Sequence, residues 1–246
     1  KFDDSLNTIW KKNYYSKSEK KLKPFLSLSS NKEILIVADN ISKYYAIKSS
    51  TGELLWSKNN SSPFNSRVEI FEDKILIVDF DNTLRCFSIK NGNEIWNFKT
   101  EKSFIKSQKN MSLLVSNNIL FFNNSIGDIS AIDIESGDLI WQTPTQSSAI
   151  YKNSFLLKTS NFSLSKNAIL FSNNKNEFFS INKKNGTINW KLNVNSSLTS
   201  IIHDKIIFTI SDSGYLILIN ENTGRIIRAT DIFDIFKDKK RKFIKP

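Results

Sequence analysis

Apolar residues along this chain fall in short runs, each closed by polar residues suited to turns. The runs are Ile34–Val37, Ile75–Val78, Ile119–Phe122, Ala168–Phe171 and Ile206–Phe208, bounded by Asn, Asp, Lys and Ser. They are rich in β-branched and aromatic side chains and too short for the apolar stripe of an amphipathic helix, so they predict buried strands. A few residues beyond each run stands a turn position, occupied by Ser42, Asn82, Gly127, Asn176 and Gly214 in turn. Tight turns between antiparallel strands often need a positive φ, which glycine takes freely and asparagine tolerates.

A second turn lies ten residues further on and is more regular. Gly52, Gly92, Gly137, Gly186 and Gly224 follow one another at intervals of 40, 45, 49 and 38 residues. Four of them have tryptophan four positions later: Trp56, Trp96, Trp141 and Trp190, with Arg228 in that place in the fifth repeat. The chain contains only seven glycines and five tryptophans, so this register consumes most of both. Thr51, Asn91, Ser136, Asn185 and Thr223 precede the glycines, and Ala46, Cys86, Ala131, Ser180 and Leu218 stand six before them. Each repeat reads as buried strand, turn, strand, Thr/Ser/Asn-Gly turn and a strand carrying tryptophan, with one more strand ahead of the first. Four antiparallel strands in a unit of roughly 40–50 residues make a β-propeller blade. The expected fold is therefore all-β, with five to six blades visible in residues 1–230 as a single domain. Residues 231–246 form a basic C-terminal segment that continues toward a missing blade. A ring needs its ends to close on each other, and an unclosed arc would leave two edge sheets with unpaired backbone groups, so the chain is expected to be part of a larger ring.

The tryptophans are expected to be structural. An indole on the outer strand of one blade fits against the glycine turn of the next, where the absent Cβ leaves room, and its burial is worth about 3–5 kcal/mol.

Ala131-Ile132-Asp133-Ile134-Glu135-Ser136-Gly137-Asp138-Leu139-Ile140-Trp141 resembles the PQQ-type propeller repeat, Ala-x-Asp-x-x-Thr/Ser-Gly-x-x-x-Trp, and Ala46 to Trp56 matches it except for Lys48. Within that superfamily the chain resembles the BamB-type family, propeller lipoproteins of the bacterial outer-membrane β-barrel assembly machinery. The likeness lies in the bare propeller and in two irregular stretches, near Ser103–Ser112 and Ser147–Ser163. The resemblance implies that loops in these places help to form the face that docks on the central barrel-inserting subunit. Phe104, Ile105 and Lys106 fall where the family has an apolar-plus-basic contact. Lys158 and Ser160 depart from it, standing about where family members carry acidic residues.

Composition then narrows the chemistry. The net charge of +11 formally invites a nucleic-acid partner, but the lysines are scattered and none is expected. Two clusters stand out, Lys11, Lys12, Lys17, Lys20, Lys21 and Lys23 near one end and Lys237, Lys239, Lys240, Arg241 and Lys242 near the other. They read as solvated surface, with attraction to anionic headgroups or an acidic partner as the alternative. No apolar stretch approaches the roughly 20 residues of a membrane-spanning helix. Cys86, the single cysteine, reads as a small buried residue, and His203 as a turn histidine before Asp204-Lys205. Asp79, Asp81 and Asp212 lie at strand–turn junctions, where Asp is favoured for its local hydrogen bonds. Neither a Gly-x-Ser-x-Gly elbow, a phosphate loop nor zinc-type spacing occurs.

The expected function is thus a non-enzymatic scaffold without cofactor or metal at the periplasmic face of the outer membrane. It would bind the barrel-assembly subunit, with unfolded outer-membrane proteins and peripheral membrane contact as further partners. The alternative is a dehydrogenase-like quinoprotein using pyrroloquinoline quinone. The resemblance implies a cysteine pair, calcium ligands and a catalytic aspartate for such enzymes, and one cysteine cannot supply the pair. A cytoplasmic interaction propeller of the WD-repeat kind is weakened by the absence of Gly-His and Trp-Asp pairs.

Overall fold

Every apolar run becomes the second strand of a four-stranded antiparallel sheet. The structure is a computed structural model and describes residues 1–101, 110–145 and 159–234. The first sheet holds β1 (Leu26–Ser30), β2 (Ile34–Asp39), β3 (Lys43–Lys48) and β4 (Leu54–Asn59), paired in that order. The second holds β5 (Glu69–Phe71), β6 (Lys74–Val78), β7 (Thr83–Ser88) and β8 (Glu94–Lys99). The third consists of β9 (Leu113–Ser116), β10 (Ile119–Asn123), β11 (Asp128–Asp133) and β12 (Leu139–Pro144). The fourth has β13 (Ser163–Leu164), β14 (Ala168–Asn173), β15 (Glu177–Asn182) and β16 (Ile188–Leu192). The fifth has β17 (Ile201–His203), β18 (Ile206–Ile210), β19 (Tyr215–Asn220) and β20 (Ile226–Asp231). These are the blades of an all-β propeller fold, as the repeat predicts. A five-residue helix, α1 (Lys17–Lys21), precedes them and is closed by a Ser16–Glu19 capping box.

Two compact units emerge, one of Lys1–Lys102 with Ile134–Asp138, the other of Ser103–Asp133 with Leu139–Pro246. In the first unit, one face of the first sheet packs on the second through Ile36, Ala46, Phe64, Ile75 and Phe87. The opposite face of that sheet, Val37, Tyr45 and Ile47, is covered by Trp10, Tyr14 and Tyr15. In the second unit, Phe121, Ile129, Phe171 and Phe179 fill the space between the third and fourth sheets, and Leu170, Phe178, Ile207 and Ile219 that between the fourth and fifth. The core therefore lies between sheets, because both faces of a central strand are apolar and need cover.

The turns obey the sequence. The five register glycines lie at φ between +68° and +79°, and Ser42, Asn82, Gly127, Asn176 and Gly214 at the other turn are all positive as well. Pairing between third and fourth strands slips by one residue at the same place in every sheet, between Ala46/Ile47, Cys86/Phe87, Ala131/Ile132, Ser180/Ile181 and Leu218/Ile219. Such a bulge turns the following strand, and here it sets the tryptophan opposite the residue six before the glycine. Ala46, Cys86, Ala131 and Ser180 face Trp56, Trp96, Trp141 and Trp190, whereas Leu218 faces Arg228. A small side chain is present wherever its partner is an indole, and the constraint lapses in the one repeat that lacks it.

Candidate functional site

The repeat tryptophans build one arrangement five times. A Cβ on Gly92 would meet the Trp56 ring at 2.7 Å, on Gly137 Trp96 at 2.7 Å, on Gly186 Trp141 at 2.5 Å and on Gly224 Trp190 at 2.6 Å. Each indole also donates its Nε1 proton to the carbonyl three residues before the glycine it covers. The acceptors are Ile89 for Trp56, Ile134 for Trp96, Lys183 for Trp141 and Glu221 for Trp190, at 2.8–3.2 Å. Ring stacking and hydrogen bond together fix how each tryptophan meets the next turn in sequence.

The fifth tryptophan joins the series although no glycine announces it. Trp10 covers Gly52 and donates to the Ser49 carbonyl at 3.0 Å. Four residues before Trp10, where a glycine would stand, Leu6 takes the left-handed conformation at φ 64°. A signal did exist, since Trp10 precedes Trp56 by 46 residues, within the range of the other spacings.

Side-chain oxygens at two further register positions hold the turns. Thr51, Asn91, Ser136, Asn185 and Thr223 each accept the backbone N–H two residues on, at 2.9–3.3 Å. Thirteen residues before the glycines stand Asp39, Asp79, Asn124, Asn173 and Ser211. The first four accept the N–H groups two and four residues on, at 2.8–3.2 Å, and Ser211 accepts that of Tyr215 at 3.0 Å. Asx-type bonds of this kind bend the chain without further help.

The acids considered for chemistry are committed to such work. Asp79 is fully buried; its Oδ1 accepts from Asp81 and Thr83, and its Oδ2 from Arg85 Nε at 2.7 Å and Asn60 Nδ2 at 3.4 Å. Those four bonds fill the acceptor sites of a carboxylate. Arg85 turns its other arm to Glu94 at 2.6 Å, closing a charged network. Asp81 is a turn residue of the same motif, and Asp212 Oδ1 accepts from both N and Oγ of Ser197 at 2.9 Å. Among the described residues no group of three His, Cys, Asp or Glu side chains could hold a metal ion. The buried Cys86 has its thiol pushed up to about 12 by desolvation, which removes thiolate reactivity at neutral pH. His203 is exposed beside Asp204, at the turn where Asp204 and Lys205 both have positive φ.

The predicted docking residues Phe104, Ile105 and Lys106 lie outside the described residues, as does Lys158. Ser160 is buried, accepts the Ser172 N–H at 3.0 Å and donates its own N–H to the Ser172 carbonyl at 2.8 Å. It serves the fourth sheet rather than an exposed face.

The profile of a family described as outer membrane protein assembly factor BamB matches residues 3–230. A protein of that description from Legionella pneumophila (strain Paris) is 24% identical over 184 residues, which are 71% of this chain and 44% of that protein. The crystal structure of BamB from Moraxella catarrhalis superposes with a TM-score of 0.69 at 14% identity, over 84% of this chain and 63% of that one. Quinohemoprotein alcohol dehydrogenase from Comamonas testosteroni gives a TM-score of 0.64 at 14% identity, over 83% of this chain and 42% of that enzyme. The chain thus spans less than half the length of the Legionella relative. At such identities the structural likenesses report the shared propeller fold.

Proposed function

Because the chain belongs to the family of outer membrane protein assembly factor BamB, we propose that it is a non-enzymatic scaffold in outer-membrane β-barrel assembly. It works at the periplasmic face of that membrane, and residues 1–230 act as one propeller domain. The observation that carries this reading is the family match over nearly all of the repeat region. Its physical complement is the way the candidate acids and the cysteine are spent on turns and packing, leaving rigid sheets that present loops. A rigid support with variable loops suits binding.

The docking face is assigned to the stretch holding Phe104, Ile105 and Lys106, two apolar side chains beside a cation, a composition suited to the core of an interface. Replacing the three by Ser, Ser and Glu is expected to weaken binding to the periplasmic domains of the barrel-inserting subunit by more than about tenfold, with the fold retained. Titration calorimetry with the purified domains measures it. Unchanged affinity in the folded variant removes this stretch from the docking face.

The quinoprotein alternative rests on the fold shared with alcohol dehydrogenases. Pyrroloquinoline quinone titrated with calcium into the chain, followed by cofactor absorbance, is expected to show no saturable binding. Binding at micromolar concentration or below would replace the scaffold reading with the enzymatic one.

A further inference from the structure

The segment between Trp10 and β1 does two things on different sides. Inward, Tyr14 and Tyr15 cover Val37 and Tyr45, Tyr14 donates to the Gly52 carbonyl, and Lys43 Nζ reaches the Tyr14 carbonyl at 2.9 Å. Outward, six lysines, Lys11, Lys12, Lys17, Lys20, Lys21 and Lys23, occur against one acid, Glu19, which is bound to Lys43 at 2.9 Å. All six lysines are exposed, and none forms a salt bridge among the described residues. The segment therefore carries unneutralised positive charge on a tethered backbone.

Large apolar side chains follow directly. Leu22 is 64% exposed, Phe25 79%, Leu26 50% and Leu28 59%. Leu26 and Leu28 alternate along β1 on one face, while Ser27 on the other face accepts the Val68 N–H. Among the described residues β1 pairs only with β2, at the edge of its sheet. The Phe25 N–H donates to Asn40 Oδ1 at 2.8 Å, which fixes the backbone that presents these side chains. Four exposed apolar groups within nine residues of three unpaired lysines are costly in water alone. They are favourable where hydrocarbon and phosphate lie side by side.

We propose that Lys11–Leu28 is a peripheral attachment surface for anionic phospholipid bilayers, with Leu22, Phe25, Leu26 and Leu28 entering the headgroup–acyl boundary and the lysines lying among the phosphates. A bilayer is the occupant because the lysines and the apolar side chains are interleaved along one short segment, Lys20-Lys21-Leu22-Lys23-Pro24-Phe25-Leu26. The attachment does not rest on the docking reading: vesicles report one and the barrel-inserting subunit the other.

The test is sedimentation of the 246-residue chain with vesicles of phosphatidylglycerol and phosphatidylcholine in equal parts, against pure phosphatidylcholine. The parent is expected to partition onto the anionic vesicles and to lose that preference as salt rises. Each lysine near an anionic surface is worth about a fivefold gain in partitioning. Lys20→Glu, Lys21→Glu and Lys23→Glu together should lower partitioning on the order of a hundredfold, and Leu22→Ser with Phe25→Ser about tenfold. These side chains are exposed, so circular dichroism should show the parental fold. Equal partitioning of the parent onto both vesicle types overturns the proposal. So does binding that survives both sets of changes, or a lysine variant that loses an acidic protein partner while keeping the vesicles.

Discussion

Trp141→Ala is expected to destabilise the chain by about 3–5 kcal/mol, the range for emptying a buried tryptophan site. Trp141 is 9% exposed, lies in the cluster with Phe121 and Phe171, covers Gly186 and donates to the Lys183 carbonyl. Loss of the ring empties the space it fills over Gly186, which the glycine has no side chain of its own to occupy. The thermal midpoint should fall on the order of 10 °C for a chain of this size. Trp141→Phe should cost less: a six-membered ring remains, while the pyrrole half is lost with its donor, which leaves the Lys183 carbonyl short of a partner at about 1 kcal/mol. Trp10→Ala, Trp56→Ala, Trp96→Ala and Trp190→Ala should follow in the same direction with smaller drops, since these indoles are half-buried. Differential scanning fluorimetry ranks them. If Trp141→Ala kept the parental midpoint, or if one variant lost a ligand-binding signal with its stability intact, the structural role would be wrong at that position.

What the sequence revealed of this fold follows from how strongly each position restricts residue type. A left-handed turn under an indole accepts glycine almost alone, so Gly52, Gly92, Gly137, Gly186 and Gly224 stand out, and the tryptophans stand out with them. Buried strands show as apolar runs because both faces are covered. The position thirteen before the glycine was not legible as a register, because Asp, Asn and Ser all perform its task and all are common in turns. Only the repeated bond to the N–H group four residues on reveals that Asp39, Asp79, Asn124, Asn173 and Ser211 are one feature. Trp10 was missed for the opposite reason: Leu6 occupies the left-handed position despite its side chain, so the residue type that marks the register is absent there. The docking residues Phe104, Ile105 and Lys106 came from a resemblance rather than from a periodic constraint, and nothing in the repeat requires them. The covering role of Tyr14 and Tyr15 likewise depends on contacts far along the chain, with Val37 and Tyr45, and has no local signature.

Gly224→Ala tests the fit between turn and indole from the other side. The three atoms nearest a Cβ at this position all belong to Trp190, at 2.6, 2.8 and 3.0 Å, and the backbone sits at φ +70°. Two separable costs follow. Holding an L-residue in the left-handed conformation costs about 1–2 kcal/mol, and pressing the added methyl into the ring about 1–3 kcal/mol more. In a Trp190→Ala background the second cost should vanish while the first persists. Gly224→Ala should therefore be less damaging by about 1–3 kcal/mol when the tryptophan is absent, a coupling within the range found for residues in contact. Equilibrium urea unfolding of the parent, both single variants and the double variant measures the cycle. Strict additivity would mean that the indole does not press on Gly224, and that the glycine is retained for its φ alone.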